Sequence, residues 1–175
     1  VEYVLKGGVA DRIPFTAYAS KIPQCAAERK LRNMGLCLVR RDVNVVKTVT
    51  PNVKVTHTTY QEDGKNLIRT DYDTPAGNLH VIVEDVGITK WPRKRLFGGQ
   101  EDYKALLALV KDVRYIANYQ AYAAVQADDG GDSFLRGSVG SEPLQWLIST
   151  VMGAETFSME WYDRQDEVLK LYDAL

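Results

Sequence analysis

The chain has 175 residues and a formal net charge of −1, with 45% apolar and 26% charged residues. These values are ordinary for a globular protein of one domain, and the lack of a basic excess argues against a nucleic-acid partner. No apolar run approaches the ~20 residues that a membrane-spanning helix needs and no signal peptide is recognised, so the sequence predicts no membrane partner and a cytoplasmic location.

The cysteines and histidines give no metal-ligand spacing. Cys25 and Cys37 are far apart, and His57 and His80 lie close to neither. A C-x-x-C pair or a His-x-Cys would have indicated a metal site, and both motifs are absent from the sequence. We interpret the cysteines as small, half-buried thiols in a reducing cytosol, and we expect no metal site within this chain.

The first part of the chain alternates short helices with short strands. Residues 1–6 read as a helix that ends at Gly7-Gly8, and a strand follows the Asp11-Arg12 turn, running from Ile13 towards Tyr18. Residues 26–34 are good helix formers ended by Gly35. A short strand is expected over residues 36–39, stopped by the charged residues 40–42.

Residues 43–86 change to a strand-like pattern rich in valine and threonine. Asp63-Gly64 supplies the turn of a hairpin, and a second turn at residues 74–77 precedes a strand over residues 78–84. We expect a three- or four-stranded antiparallel meander with one wet face, marked by Lys54, Arg69 and Asp71. Two interpretations stay open: a decorative insertion, or a lid or wall over a site.

Residues 88–97 carry four basic residues and two aromatic residues. Such a run either holds an anionic group or forms a solvated connector, and the connector is the favoured interpretation. Two helices are expected next. The first starts with the acidic residues 101–102 and has Tyr103, Leu106, Leu107 and Val110 at helical spacing, and the second covers residues 115–127. Tyr115, Tyr119 and Tyr122 of the second helix are expected in the core.

The last third begins with the acidic, glycine-containing turn at residues 128–132, which lacks the ligand ladder of an EF-hand. A strand over residues 133–140, a Gly-containing turn and an apolar helix that starts near Pro143 could place a ligand group at the helix N-terminus. Asp163 is the expected N-cap of the final helix. The residues expected on its buried face are Val168, Leu169, Leu171, Tyr172 and Leu175.

Three of these segments, in their order and spacing, resemble the uroporphyrinogen decarboxylase superfamily. They are residues 1–15 with their helix, glycine pair and strand, residues 137–146 with a strand, Gly-x-x-Pro and apolar helix, and residues 161–175 of the last helix. That superfamily is built on a single (β/α)8 barrel, which takes about 250 residues or more. The resemblance therefore implies an α/β fold in which residues 1–175 form the N-terminal half of a TIM barrel, with an antiparallel β-meander inserted at about residues 43–86.

The motifs of the true decarboxylases are incomplete here. Those enzymes carry Arg-x-x-x-Arg after the first strand to hold substrate carboxylates, and residues 18–23 contain no arginine. Their aspartate of a Phe-Ser-Asp segment has no match around residues 36–42, and their later tyrosine falls near Ser149. The resemblance therefore implies the branch of corrinoid-linked methyltransferases and demethylases.

Two alternatives remain open. The first is uroporphyrinogen decarboxylation in porphyrin biosynthesis, with Arg12, Arg29 or Arg32 holding the carboxylates. The second is a non-catalytic binding or dimerisation fragment.

The resemblance also implies where a substrate would bind, because barrel enzymes hold ligands at the carboxyl ends of their strands. The implied substrate contacts are Tyr18, Lys21, Arg136, Ser138 and Glu142. Lys21 or Arg136 would hold an anionic group and Glu142 would orient a polar group, whereas no catalytic residue is assigned.

The His-x-Cys and later Cys that bind zinc in the methyltransferase branch are missing from this sequence. Zinc and a corrinoid are therefore expected only in a longer parent enzyme, with a small-molecule substrate or a corrinoid protein as partner. The chain alone is expected to be inactive, and a homo-oligomer is left open.

Overall fold

The computed structural model describes residues 1–87 and 89–175, and for Arg41 and Asp42 only the backbone. The chain is a mixed α/β protein that divides into two compact units. Unit 1 comprises Val1–Lys47 and Ile116–Gly140, and unit 2 comprises Thr48–Tyr115 and Ser141–Leu175. The chain thus leaves unit 1 once and returns to it before the last segment.

The helices and strands alternate in the first part of the chain, whereas strands dominate the middle and helices the end. In chain order the elements are α1 (Glu2–Leu5), β1 (Phe15–Tyr18), a 3-10 turn (Ala19–Lys21), α2 (Ala26–Asn33), β2 (Leu36–Asn44), β3 (Val46–Val49), β4 (Lys54–Glu62), β5 (Lys65–Thr74), β6 (Gly77–Asp85), β7 (Lys90–Lys94), α3 (Asp102–Asp112), β8 (Arg114–Ala117), α4 (Tyr119–Asp129), β9 (Phe134–Ser138), α5 (Pro143–Trp146), a π-helical segment (Leu147–Met152), α6 (Ala154–Asp163) and α7 (Gln165–Asp173).

Unit 1 is built on a three-stranded parallel sheet in the order β1-β2-β9. Tyr18 of β1 is aligned with Val39 of β2, which is aligned in turn with Phe134 of β9. Parallel strands need a crossover, and α2 connects β1 to β2 while α4 precedes β9. The strands therefore lie side by side in their order along the chain.

Unit 2 contains a four-stranded antiparallel sheet in the order β4-β5-β6-β7. Asp63 and Gly64 both have positive φ angles, of 49° and 72°, which matches the turn that twisted hairpin strands require. The expected antiparallel meander is confirmed, with four strands. Its strands run from residue 54 to residue 94, further along the chain than the expected 43–86.

The hydrophobic core of unit 2 joins this sheet to the helices. Leu79 of β6 packs with residues of α3, of the π-helical segment and of α7, represented by Leu106, Val151 and Leu171. The last three are almost completely buried. The 3.6-residue spacing expected for α3 and α7 therefore does place one face of each helix in the core.

Several expected elements differ from the structure. The basic run at residues 88–97 was expected to be a connector, but Lys90–Lys94 forms strand β7, and Ile88 lies outside the described residues. The strand expected over residues 36–39 continues to Asn44 because β9 pairs with its second half.

Two helices in the second half of the chain, α4 and α7, also begin later than expected. Residues 114–117 form strand β8, so α4 starts at Tyr119, and Tyr115 and Tyr119 are 60% and 67% exposed rather than in the core. Asp163 ends α6, and Arg164 is the residue that precedes α7. Of the five residues expected on the buried face of the last helix, Val168 and Leu171 are buried and Leu175 is half-buried. Leu169 and Tyr172 are exposed, contrary to the prediction.

In the described part of the chain, no helix has the length and apolar character needed to cross a membrane.

Candidate functional site

The two faces of the parallel sheet differ in what covers them. Successive side chains along a strand point to opposite faces, so Leu38, Arg40 and Leu135 share one face, whereas Tyr18 and Val39 share the other. We call the first the helix face and the second the open face.

The helices of unit 1 lie on the helix face. The hydroxyl of Tyr122 on α4 lies 3.5 Å from the carbonyl oxygen of Leu135. A Cβ built on Gly137 would lie 3.6 Å from the Tyr122 ring, so the side of β9 that carries Gly137 faces α4. Residues of α2 line a groove together with Leu38 and Arg40 of β2. Both crossover helices therefore cover the same face of the sheet.

The open face carries polar groups near the carboxyl ends of the strands. Arg136 and Ser138 of β9 point away from the Gly137 side, and Asn44, the last residue of β2, is aligned with Ser138. Tyr18, the last residue of β1, lies on the same face. It is aligned through Val39 with Phe134 of β9, and two strand spacings place these positions about 10 Å apart. Three of the five predicted site residues, Tyr18, Arg136 and Ser138, are thus on one face.

Arg136 provides a positive charge on the open face. Its side chain is exposed and forms no ion pair with any residue whose side chain the structure describes. A guanidinium without a carboxylate partner can bind an external carboxylate or phosphate through two parallel hydrogen bonds. Ser138 accepts a 3.4 Å hydrogen bond from the Gly140 amide at its Oγ, and its hydroxyl donates to no group among the described residues.

The remaining predicted residues have different surroundings. Lys21 is exposed at the end of the 3-10 turn that follows β1, so it lies beyond the carboxyl end of that strand. Glu142 belongs to unit 2, where its carboxylate accepts hydrogen bonds from the Leu144 and Gln145 amides at 3.1 and 2.9 Å. Its observed interactions are those of a helix N-cap, which stabilises the start of α5.

A groove of about 980 Å³ lies on the helix face between α2, β2 and the turn before β9. Five of the seven charged side chains that line it form ion pairs with each other. Arg32 binds both carboxylate oxygens of Asp132 and lies 3.4 Å from Glu28. Arg29 and Lys30, which line the same groove, form no ion pair with a described side chain, so the groove keeps a positive charge that a binding test has to separate from that of the open face.

Asp129 belongs to the same paired set. The Ser133 hydroxyl and amide donate hydrogen bonds to its carboxylate at 2.5 and 2.9 Å, and Arg40 lies 3.7 Å away. These hydrogen bonds, with a smaller contribution from Arg40, lower the pKa of Asp129 below its usual value of 3.8. The acidic turn expected at residues 128–132 is therefore a turn held by internal hydrogen bonds.

The basic run at residues 90–95, which includes β7, is also mostly paired within unit 2. Arg93 donates to the carboxylate of Glu84, Lys94 donates to the His80 carbonyl at 3.1 Å, and Arg95 donates to the Ser149 carbonyl. Three of the four cations of this run therefore bind protein groups, which disfavours the alternative in which the run holds an anionic ligand.

A zinc site requires several close ligands, and the residues present do not fit one. Among the described residues, no three histidine, cysteine, aspartate or glutamate side chains come together in a group suited to a metal ion. Cys25 is exposed and Cys37 half-buried, both as free thiols. We therefore derive no chemical step that uses zinc.

Sequence reasoning missed Asn44 as part of the open face. The charged residues 40–42 suggested that β2 ended at residue 39, whereas the strand continues through a register irregularity between Arg40 and Val43. Such an irregularity is set by pairing with β9, a hundred residues away, and no local signal indicates it.

Comparison of the chain with protein-family models, with curated proteins and with solved structures found no match in any of the three.

Proposed function

We propose that the chain forms the N-terminal, substrate-binding part of a (β/α)8-barrel enzyme of the uroporphyrinogen decarboxylase type, in which a methyl group moves between a small anionic substrate and a corrinoid. The observation that supports this proposal best is the arrangement of unit 1. Its three parallel strands lie in chain order, and both crossover helices lie on one face. The first three strands of a barrel have this arrangement, with the helices outside and the opposite face turned to the barrel interior.

The chemistry of the open face agrees with a substrate that carries an anionic group. In this proposal the guanidinium of Arg136 binds the anion, and Lys21 adds a second positive charge from the edge that follows β1. The Ser138 hydroxyl donates a hydrogen bond that fixes the substrate's orientation. These residues bind and orient, and none of them is assigned a proton-transfer step.

A bound corrinoid would supply the cobalt that accepts or gives up the methyl group. This chain would contribute a binding surface for an anionic group at the carboxyl ends of β1, β2 and β9, either the acid group of the substrate or the phosphodiester of the corrinoid. Placing the reactants in a fixed geometry accounts for a large part of the rate gain in a two-substrate transfer. The chain alone is therefore expected to bind ligand without turnover.

Uroporphyrinogen decarboxylation is the less favoured alternative because its substrate carries eight carboxylates and needs several free cations on one surface. Of the arginines considered for this role, Arg32 is paired with Asp132 and Glu28, and Arg29 lines the groove on the helix face. Arg12 is exposed, 3.8 Å from Asp11. Arg29 and Arg32 thus lie on the side of the sheet opposite to Arg136.

Equilibrium dialysis with two coloured ligands tests the proposal. Methylcobalamin carries a phosphodiester, and uroporphyrin carries eight carboxylates. The full chain is expected to retain methylcobalamin, and Arg136→Gln should lower that retention about tenfold or more, in line with the loss of a charge-assisted hydrogen-bond pair. Arg29→Gln, on the opposite face, should bind as the unchanged chain does.

The two ligands separate the candidate functions. Retention of uroporphyrin without methylcobalamin would favour the decarboxylase alternative. Retention of neither ligand would overturn both enzyme proposals and leave the non-catalytic alternative.

A further inference from the structure

Strand β4 is the outermost strand of the antiparallel sheet of unit 2. It spans nine residues, pairs with β5 on one side, and is last in the strand order among the described residues. Eight of its nine residues are exposed, and Tyr60 is half-buried. Along an edge strand, the N–H and C=O groups of every second residue point away from the sheet. β4 therefore presents a row of unpaired amide and carbonyl groups over about 30 Å.

This edge lacks the features that commonly prevent strands from pairing between molecules. The seven residues from position 55 to position 61 contain no lysine, arginine, acidic residue or proline. The register of β4 with β5 is continuous from Lys54 to Glu62, without a bulge. Charges, prolines and bulges are the usual protections of an edge strand, and β4 keeps charges only at its two ends.

We propose that β4 pairs antiparallel with β4 of a second copy of this chain, across a two-fold axis at Thr58. In this register Lys54 lies opposite Glu62 of the partner subunit, and Glu62 lies opposite Lys54 of the partner subunit. Thr56 lies opposite Tyr60 of the partner subunit, an aromatic and β-branched pair of the kind that stabilises adjacent strands. The two sheets then form one continuous sheet of eight strands.

The charges at the strand ends select both the register and the partner. Lys54 and Glu62 have opposite signs and are eight residues apart, so their side chains point to the same face of the sheet. Neither forms an ion pair with another side chain that the structure describes. Among two-fold registers, the one centred on Thr58 pairs all nine residues and makes both charge pairs. A strand that complements itself in this way fits an identical partner.

Charge reversal at Lys54 and Glu62 tests this interface, because exchanging both charges restores ion pairs only between two molecules. Within the chain, Lys54 is aligned with Asp73 and Glu62 with Lys65. Lys54→Glu and Glu62→Lys each place like charges opposite one another in the dimer, at two positions. The double variant restores both intermolecular pairs, whereas it leaves two like-charge pairs within each chain.

Sedimentation equilibrium measures the outcome across a range of protein concentrations. A contact along one strand is smaller than the interface of a permanent dimer, so the unchanged chain is expected to dimerise reversibly as concentration rises. Each single variant should raise the dimer dissociation constant roughly tenfold, since two cross-strand pairs change from attractive to repulsive. The double variant should return it to within about threefold of the starting value.

Other outcomes contradict the proposal. A chain that stays monomeric up to roughly 0.5 mM has no such interface. A dimer that responds equally little to all three variants forms through another surface. A double variant that dimerises less well than either single variant shows that the charges act within the chain. Circular dichroism of each variant, compared with the unchanged chain, confirms that the sheet is folded.

Discussion

Val45 approaches Gly137 so closely that a Cβ built at position 137 would lie 2.6 Å from the Val45 Cγ1 atom. Real side chains do not tolerate that distance, so β9 needs glycine at this point on the helix face. We expect Gly137→Ala to lower the free energy of unfolding by about 1–3 kcal/mol, as overpacked cores do. Denaturant unfolding followed by circular dichroism measures the loss.

A double-mutant cycle isolates this contact from the change in backbone entropy that accompanies replacement of any glycine. Val45→Ala removes the atom in conflict, and Gly137→Ala should then cost at least 1 kcal/mol less than in the unchanged chain, a coupling of roughly the size found for residues in contact. Equal costs in both backgrounds would mean that Val45 does not approach β9 as described.

Glu160 is the centre of a buried hydrogen-bond network in unit 2. The Tyr103 hydroxyl donates to its carboxylate at 2.8 Å, and Arg164 donates two hydrogen bonds at 2.6 and 2.5 Å. We expect Glu160→Gln to lower the free energy of unfolding by about 1.5–3 kcal/mol, the range for hydrogen bonds to charged groups. Tyr103→Phe is the matched control, and its loss should be smaller because the bonds to Arg164 remain.

The same network predicts a dependence of stability on acid pH. Arg164, followed by Tyr103, lowers the pKa of Glu160 below its usual value of 4.5, despite the opposing effect of burial. A lowered folded-state pKa adds stability that is present above pH 4.5 and is lost as the pH falls through the folded-state value. The stability difference between the unchanged chain and Glu160→Gln should therefore shrink between pH 6 and about pH 3. A difference that is constant over this range would contradict the lowered pKa.

At alkaline pH, Tyr103 is expected to act in the reverse direction. Burial, and then the hydrogen bond to Glu160, raise the pKa of Tyr103 above its usual value of 10.0. A raised folded-state pKa gives stability that is present below pH 10 and is lost as the pH rises further. The free energy of unfolding should therefore fall less with rising pH in Tyr103→Phe than in the unchanged chain. Circular dichroism between pH 9 and about pH 12 measures this difference.

The two units should differ in local stability because they bury different amounts of apolar surface. In unit 2, thirteen buried side chains form one cluster, whereas the buried apolar side chains described in unit 1 are Leu36 and Val43. Buried apolar contacts slow the local opening that exposes backbone amides to exchange. Hydrogen exchange read by mass spectrometry should show peptides from α3 and β6 protected at least tenfold longer than peptides from β1 and β2. Equal protection would contradict this difference.

The strongest local signals in the sequence predicted the middle of unit 2 well. Asp63-Gly64 indicates a hairpin turn by itself, because few other pairs adopt positive φ at two consecutive positions. The alternation of apolar and polar residues on either side of it then identifies the two strands that the turn connects. The helical spacing of Tyr103, Leu106, Leu107 and Val110 likewise identified the buried face of α3, since three of them are buried and Leu107 is half-buried.

Long-range pairing explains what sequence reasoning could not reach. Residues 114–117 have a helix-compatible composition, yet they form β8, and in β7 Arg93 is held by an ion pair and Lys94 by a carbonyl group of the sheet. The open face was predicted only in part, because Asn44 depends on the pairing of β2 with β9. Tertiary context of this kind overrides local propensity.

The central claim is that the open face of the parallel sheet binds an anionic group through Arg136. A titration of the full ¹⁵N-labelled chain with succinate, a small dicarboxylate, tests it residue by residue. We predict saturable changes in the signals of Arg136, Ser138 and Tyr18 that disappear in Arg136→Gln and persist in Arg29→Gln. Saturable changes confined to the helix-face groove around Arg29 and Arg32, or no saturable change at any residue, would contradict the claim.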